Sequence, residues 1–273
     1  MLKGIVRTHR IVATQSLRHA VLLLHAVLVL IAAWSCAALA DNEARLPDDA
    51  RAATAALNPK PFKLTLGNYR YSEGADGVDA NLRYRGVVFS SWVGFYRDAD
   101  FGQQWRGGLE RAFELLPGVP LSLQFSGQIA SRGFLGGSVT LEYGEPFFVL
   151  AGYGRTNGKP YFNLNFDPND SWTLGAGWRA DHGLTAYLLA VRDNRSNPGQ
   201  QNLHAVLRVP LRDKQRLTID LQRKTGSADF GEIKDWALSL TYDLGDWALR
   251  LANDHKQNFS AINALRFSVA YRF

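Results

Sequence analysis

The sequence has 273 residues and carries 31 Lys and Arg against 25 Asp and Glu, a formal net charge of +6. Four of the basic residues and none of the acids lie in residues 1–40, so the rest of the chain holds 27 against 25, a net +2, which is no evidence for a nucleic-acid partner. The single cysteine, Cys36, excludes a disulfide framework, and no run of 18 apolar residues follows residue 40, which excludes a helical membrane protein.

Residues 1–40 have the order of a secretory signal peptide. Basic side chains (Lys3, Arg7, Arg10 and Arg18) come first, the run AVLLLHAVLVLIAA follows over residues 20–33, and Ala38-Leu39-Ala40 then offers small residues for cleavage near Ala40. Two alternatives remain open: a single membrane helix over 20–40, and a lipoprotein site at Cys36. The helix lacks a basic stop-transfer segment, and the bulky Trp34 precedes the cysteine.

Residues 41–60 differ from everything downstream. Pro47-Asp48-Asp49 places acids in the first turn of the segment ARAATAAL, and Asn58-Pro59 ends it. The pattern predicts a short helix or leader, which lies on a rim, enters the following domain as a plug, or stays mobile. We expect a single domain over residues 61–273.

From residue 62 onward, apolar and polar residues alternate. Residues 172–178 and 236–242 are clear examples, and a period of two is typical of β-strands with one apolar face. Fifteen candidate strands can be marked, at 62–72, 78–86, 88–97, 103–114, 120–130, 134–143, 147–155, 160–167, 171–180, 184–193, 202–210, 215–224, 234–243, 246–254 and 263–273.

Two features favour a transmembrane barrel over a soluble sandwich. Aromatic residues stand at the ends of the apolar faces, as Trp172 and Trp178 do, and the connectors tend to alternate between long and short. The prediction is an all-β, single-chain antiparallel transmembrane β-barrel. Because such a chain has an even number of strands, we expect about 14, with 78–86 and 88–97 merged, and 12 or 16 as alternatives.

The final segment gives the clearest signal. Leu265, Phe267, Val269, Tyr271 and Phe273 place an apolar residue at every second position up to the last residue. This resembles the terminal recognition strand of bacterial outer-membrane β-barrel proteins, porin-like proteins as a class. The resemblance implies the outer membrane of a Gram-negative bacterium, membrane lipids as surroundings, a periplasmic position for residues 41–60, and periplasmic chaperones and the barrel-assembly machinery as partners during biogenesis.

In a barrel, the face opposite the apolar residues lines the lumen. Mid-strand charges on that face are more often basic than acidic, and an excess of arginine favours anions in a pore. The alternative is that arginines and carboxylates pair across the lumen. The pore-lining candidates are Arg83, Arg85, Arg106, Glu110, Glu142, Arg179, Arg208, Asp220, Arg250 and Arg266.

Evidence for catalysis or metal binding is weak. Beyond residue 40 the histidines are His182, His204 and His255, and of these His204 alone is expected in mid-strand on the lumen face. They have neither the spacing of metal ligands nor a Ser two positions away. We expect no catalytic residues, no metal site and no cofactor.

The sequence therefore predicts a small, passive outer-membrane channel for small hydrophilic solutes, with a preference for anions. A closed structural or assembly barrel is the first alternative, and an outer-membrane lipid-modifying enzyme is the second.

Overall fold

The computed structural model describes residues 60–73, 76–165 and 167–273, so the predicted signal peptide and leader lie outside the described residues. Within these ranges the chain forms fourteen strands: Phe62–Tyr71 (β1), Gly77–Arg85 (β2), Ser90–Asp98 (β3), Gly102–Glu114 (β4), Leu121–Ala130 (β5), Phe134–Tyr143 (β6), Phe147–Thr156 (β7), Ser171–Arg179 (β8), Thr185–Asp193 (β9), Gln201–Pro210 (β10), Gln215–Ala228 (β11), Gly231–Leu244 (β12), Trp247–Asp254 (β13) and Ala264–Arg272 (β14). None of the helices in the described ranges is long and apolar enough to cross a membrane.

The sheet is a closed barrel. Each strand pairs antiparallel with its neighbours in sequence, and β1 also pairs with β14, from Lys63 opposite Arg272 to Tyr71 opposite Ala264. The Phe62 N–H donates to the Phe273 carbonyl at 3.0 Å, and the Phe273 N–H donates back at 2.9 Å. Closure satisfies the backbone groups that an open edge would expose to hydrocarbon. The predicted fold class and the number of 14 strands are confirmed.

The alternation predicted for β14 separates two environments. Leu265, Phe267 and Tyr271 are 44%, 51% and 38% exposed, whereas Arg266 and Ser268 between them are buried. Most other strands show the same inversion, with exposed leucines and buried polar side chains, although β7, β9 and β10 also bury apolar residues such as Phe148, Tyr187 and Val206. A wall that is apolar outside and polar inside fits a lipid surround.

The two ends of the barrel differ, and we name them by what they carry. The terminal rim holds the start of β1, the end of β14 and the connectors 86–89, 115–120, 144–146, 180–184, 211–214 and 245–246; the loop rim holds the connectors 72–76, 99–101, 131–133, 157–170, 194–200, 229–230 and 255–263. Outward aromatic side chains stand near both rims, Trp178 and Trp247 at the terminal rim and Trp172 and Trp236 at the loop rim. They form the paired belts expected of a membrane barrel.

The predicted merger of 78–86 with 88–97 is wrong. These segments are β2 and β3, joined by a tight turn in which the Gly86 N–H donates to the Phe89 carbonyl at 2.9 Å. The turn carries Val87 and Val88, which are 54% and 57% exposed. An apolar turn lacks the polar residues by which turns are normally recognised in a sequence.

The surplus strand is 160–167 instead. Its described residues form no strand but belong to the connector between β7 and β8, which folds into the barrel. The candidate strands 215–224 and 234–243 are too short, because β11 extends to Ala228 and β12 begins at Gly231, which leaves a two-residue turn between them.

Candidate functional site: the barrel lumen

Strand register places all ten predicted pore-lining residues on the inward face. Directly paired residues on neighbouring strands share one face of the sheet. Arg83 pairs with Trp92, and Trp92 pairs with Gly108. Pairs continue in this way round the wall to Arg250 and Ser268, and we call this set of paired residues the inward ladder. The remaining candidates lie an even number of residues from a ladder member on their own strand, which turns their side chains to the same side.

One side of the lumen is filled by buried ion pairs. The Arg83 Nη1 lies 3.3 Å from a Glu110 carboxylate oxygen, and the Arg106 Nη2 lies 3.2 Å from an Asp79 carboxylate oxygen. Arg266 approaches the same Asp79 at 3.8 Å. These side chains are at most 8% exposed, so each cation depends on its carboxylate for compensation.

The other candidate arginines also contact groups of the wall. Arg179 lies 3.0 Å from Glu142 and 3.8 Å above the Phe148 ring, and the Arg250 Nε donates to the Ser239 hydroxyl at 2.8 Å. Arg208 lies 5.8 Å from the centre of the Tyr187 ring, and Arg85 is half-buried at the end of β2. The structure thus brings the arginines to the lumen wall but divides them among separate contacts.

Inward charge is balanced rather than basic. Over the described strands, the inward basic residues are Lys63, Arg83, Arg85, Arg106, Arg179, Arg208, Arg216, Lys224, Arg250, Arg266 and Arg272, and the inward acids are Asp79, Asp98, Glu110, Glu114, Glu142, Asp193, Asp220, Asp235, Asp243 and Asp254. Asp167, from a connector, adds one acid and makes the two sets equal. The set predicted from the sequence, seven arginines and three carboxylates, omitted eight of these acids, including Asp79, Asp254 and Asp167, but only four of these basic residues.

Inward glycines make room for the side chains that lie across the wall. A Cβ at Gly108 would stand 2.4 Å from the Trp92 Nε1, and one at Gly94 would stand 2.8 Å from the Arg106 Nε. Real Cβ atoms do not approach so closely. The Trp92 ring can therefore lie against Gly108, and the Arg106 side chain against Gly94, only because glycine has no side chain.

The connector 157–170, which we call the inserted loop, occupies part of the lumen. The Phe162 ring stacks on Tyr96 with centroids 4.5 Å apart, and Leu164 is 2% exposed. Gln104 on β4 bonds the Phe162 backbone twice, donating to its carbonyl at 3.0 Å and accepting from its N–H at 2.9 Å. The alternating apolar residues of this segment therefore pack against the inside of the barrel, and the segment does not form a strand.

A second anchor holds the other end of the inserted loop. Asp167 Oδ1 lies 3.0 Å from the Nε2 of His204 on β10 and accepts hydrogen bonds from Asn202 and Gln222. The Nδ1 of His204 lies 3.0 Å from Asp220 on β11. His204 therefore stands between a carboxylate of the loop and a carboxylate of the wall.

A third contact joins the inserted loop to the connector 255–263. The Asn258 side chain donates to the Asn163 carbonyl at 2.8 Å. Three neighbouring sets of wall or loop residues thus fix the loop within the barrel.

A cavity of about 120 Å³ remains between the inserted loop and the wall. Its lining combines apolar side chains, such as Leu150, Leu189 and Val191, with polar and charged residues: Gln124, Ser126, Ser138, Thr140, Asp167, Thr173, His204, Asp220, Gln222, Ser239, Arg250 and Asp254. Such a surface is wettable and accepts polar solutes.

The histidines give little support to catalysis. Both ring nitrogens of His204 contact carboxylates, which leaves neither for a serine nucleophile. His182 lies in the connector 180–184, and His255 contacts Asp235 at the loop rim. Among the residues that the structure describes, no group of three or more His, Cys, Asp or Glu is placed to hold a metal ion.

Outside the membrane-spanning strands, one ion pair stands at the terminal rim. The Lys60 ammonium donates to the Asp246 carboxylate. This hydrogen bond raises the pKa of Lys60 and lowers the pKa of Asp246. The pair fixes the chain just before β1 against the turn between β12 and β13.

Comparison with protein families and with curated proteins yields no match. Among solved structures, the chain is similar to the outer membrane protein Omp33 of Acinetobacter baumannii, with 11% identity, a TM-score of 0.52, and coverage of 78% of this chain and 98% of that one. It is more loosely similar to the KdgM porin, at 12% identity, a TM-score of 0.42 and coverage of 77% and 99%. The likeness to Omp33, together with the closed barrel and its outward apolar face, shows that this chain has the fold of the porin-like outer-membrane β-barrels as a class.

Proposed function

We propose that this protein is a passive outer-membrane channel of a Gram-negative bacterium for small hydrophilic solutes, narrowed by its inserted loop. The observation that carries the proposal is the polar cavity between that loop and the wall. The polar inward residues of the strands are consistent with a lumen that holds water. Cleavage of the signal peptide near Ala40 and folding by the barrel-assembly machinery are part of the same proposal.

The equal numbers of inward acidic and basic residues argue against a strong preference for anions. The sequence predicts anions, but the inward acids match the inward basic residues over the described strands and inserted loop. We therefore propose a lumen with weak selectivity between small anions and cations. The anion preference remains a prediction, and the measurement described next tests it.

Planar-bilayer recording of the purified barrel tests the channel directly. We expect discrete conductance steps and a reversal potential near zero in a KCl gradient. A protein that is folded and inserted but gives no steps under any applied voltage contradicts the proposal.

A closed structural barrel is the second candidate, and one observation favours it. Lys224 is 0% exposed and donates to Asp254, and the Arg106 side chain is 1% exposed. These two groups lie on opposite sides of the barrel, and side chains buried so completely leave little room for water beside them. The two candidates differ in one result: a closed barrel stays non-conducting after the inserted loop is removed.

A further inference from the structure

On the lipid-facing side of the barrel, basic side chains are concentrated at one rim, away from the lumen. On the outward strand faces, basic side chains stand at the loop rim: Arg70, Arg97, Arg155, Arg192, Arg223 and Lys234, all exposed. Glu232 is the one acid on those outward faces of the described strands, and Arg111 is the one basic residue near the terminal rim.

These basic side chains lie at the edge of the aromatic belt. Arg155 stands 5.4 Å from the Tyr153 ring centre and donates to its hydroxyl at 2.8 Å, and Arg223 stands 5.6 Å from the Trp236 ring centre. Arg192 lies directly opposite Trp172 in the strand register. Because tryptophan and tyrosine settle at the membrane–water interface, the neighbouring guanidinium groups reach the depth of the lipid headgroups.

The densest part of this surface lies over β7, β8 and β9. Arg155 and Arg195 approach the same oxygen of Asp170 at 3.8 and 3.6 Å, so one carboxylate meets two cations. Both guanidinium side chains remain more than 40% exposed. Arg192 stands beside them, since Tyr153, Trp172 and Arg192 are successive partners across the three strands.

The arginines are also held in place. Arg195 donates to the Thr156 carbonyl at 2.7 Å, and Arg192 donates to the Pro198 carbonyl at 3.0 Å. A fixed guanidinium presents a planar fork of donors that matches a phosphate group and loses less entropy on binding.

We propose that the outward face of the loop rim, centred on Arg155, Arg192 and Arg195, binds the phosphate groups of membrane lipid headgroups. The charge is complementary, the depth is that of the headgroups, and the surplus of cations over carboxylates leaves donors for an anion. This site lies outside the lumen, so it does not depend on whether the barrel conducts.

Native mass spectrometry of the barrel in neutral detergent tests the site, with phosphatidylglycerol as the probe and phosphatidylcholine of the same chains as the comparison, because its choline cation neutralises the phosphate. We expect tighter binding of phosphatidylglycerol. Since each basic group near a membrane surface contributes about a 5-fold gain in affinity, the variant Arg155→Gln/Arg192→Gln/Arg195→Gln should bind it about 100-fold more weakly.

The matched control removes three exposed cations near the other rim, Arg111→Gln/Arg212→Gln/Lys214→Gln, and should bind like the unaltered protein. Heat-modified mobility on gels checks that both variants are folded. Equal affinity of the first variant and the unaltered protein overturns the proposal, and so does an equal loss in the control, because net charge alone would then explain the binding.

Discussion

Asp167 in the inserted loop and His204 on β10 lie 3.0 Å apart, and Asp220 on β11 contacts the other ring nitrogen of the same histidine. This arrangement makes His204 the link between the loop and the barrel wall. The stability of that link sets how much of the time the loop occupies the lumen.

Replacing Asp167 should free this end of the loop. Asp167→Ala removes hydrogen bonds to a charged acceptor, and because the loss of even one such bond costs about 1.5–3 kcal/mol, the open fraction should rise by at least about 10-fold. Single-channel recording measures the open fraction. Glu114→Gln, which removes an exposed inward carboxylate at the end of β4, is the control and should leave gating unchanged. Unaltered gating in Asp167→Ala would show that the contacts at Phe162 and Asn163 are enough to hold the loop.

Two adjacent glycines on β4 should respond differently to the same substitution. At Gly108 a Cβ would meet the Trp92 ring at 2.4 Å, whereas at Gly107 the nearest atom is a backbone oxygen at 3.4 Å. We expect Gly108→Ala to lower the free energy of unfolding by about 1–3 kcal/mol and Gly107→Ala to have a smaller effect or none. Urea unfolding in vesicles measures both. Equal stability of the two variants would mean that Trp92 does not lie across Gly108.

For the buried pair of Lys224 and Asp254, we expect a double variant to recover stability that a single variant loses. Lys224→Met leaves a carboxylate that is only 2% exposed without its cation, which should destabilise the barrel by about 3–5 kcal/mol. Adding Asp254→Leu removes the isolated charge and should recover most of that loss. If the double variant is as unstable as the sum of the single variants, the two groups are not coupled.

Opposite charges on the cavity lining should shift ion selectivity in opposite directions. Asp220 and Arg250 both line the cavity. Asp220→Asn should shift the permeability ratio toward chloride and Arg250→Gln toward potassium, each by about 2- to 3-fold. Reversal potentials in a KCl gradient measure the shifts. Strong anion selectivity that neither substitution alters would support the original arginine-based expectation and contradict a balanced lumen.

Particular residues show how far the sequence could predict this structure. The outward faces of strands such as β14 follow from alternation, because each apolar residue meets the same lipid. Phe162 and Leu164 have the same spacing, but they pack on Tyr96 inside the barrel, and spacing alone does not tell lipid from an aromatic interior.

The sequence predicts which charged residues face the lumen, but it does not predict which of them form ion pairs. The parity of each strand places Arg83 and Arg106 inward, yet their carboxylates lie two strands away, across β3, and Asp167 comes from a connector. Register and loop position decide which charges meet, and neither is written in the local pattern. The apparent excess of arginine has another cause: Asp79 and Asp254 share the inward parity of Arg83 and Arg250 but are absent from the predicted set, and only Asp167 required the structure.

Replacement of residues 159–167 by Gly-Ser-Gly, followed by single-channel recording beside the unaltered barrel, tests most directly whether the inserted loop narrows a water-filled lumen. The shortened barrel should fold, because its strands and their register are intact, and its conductance steps should be larger than those of the unaltered protein. A folded, inserted barrel that remains non-conducting after this replacement would contradict the channel and identify the lumen as closed by its own wall.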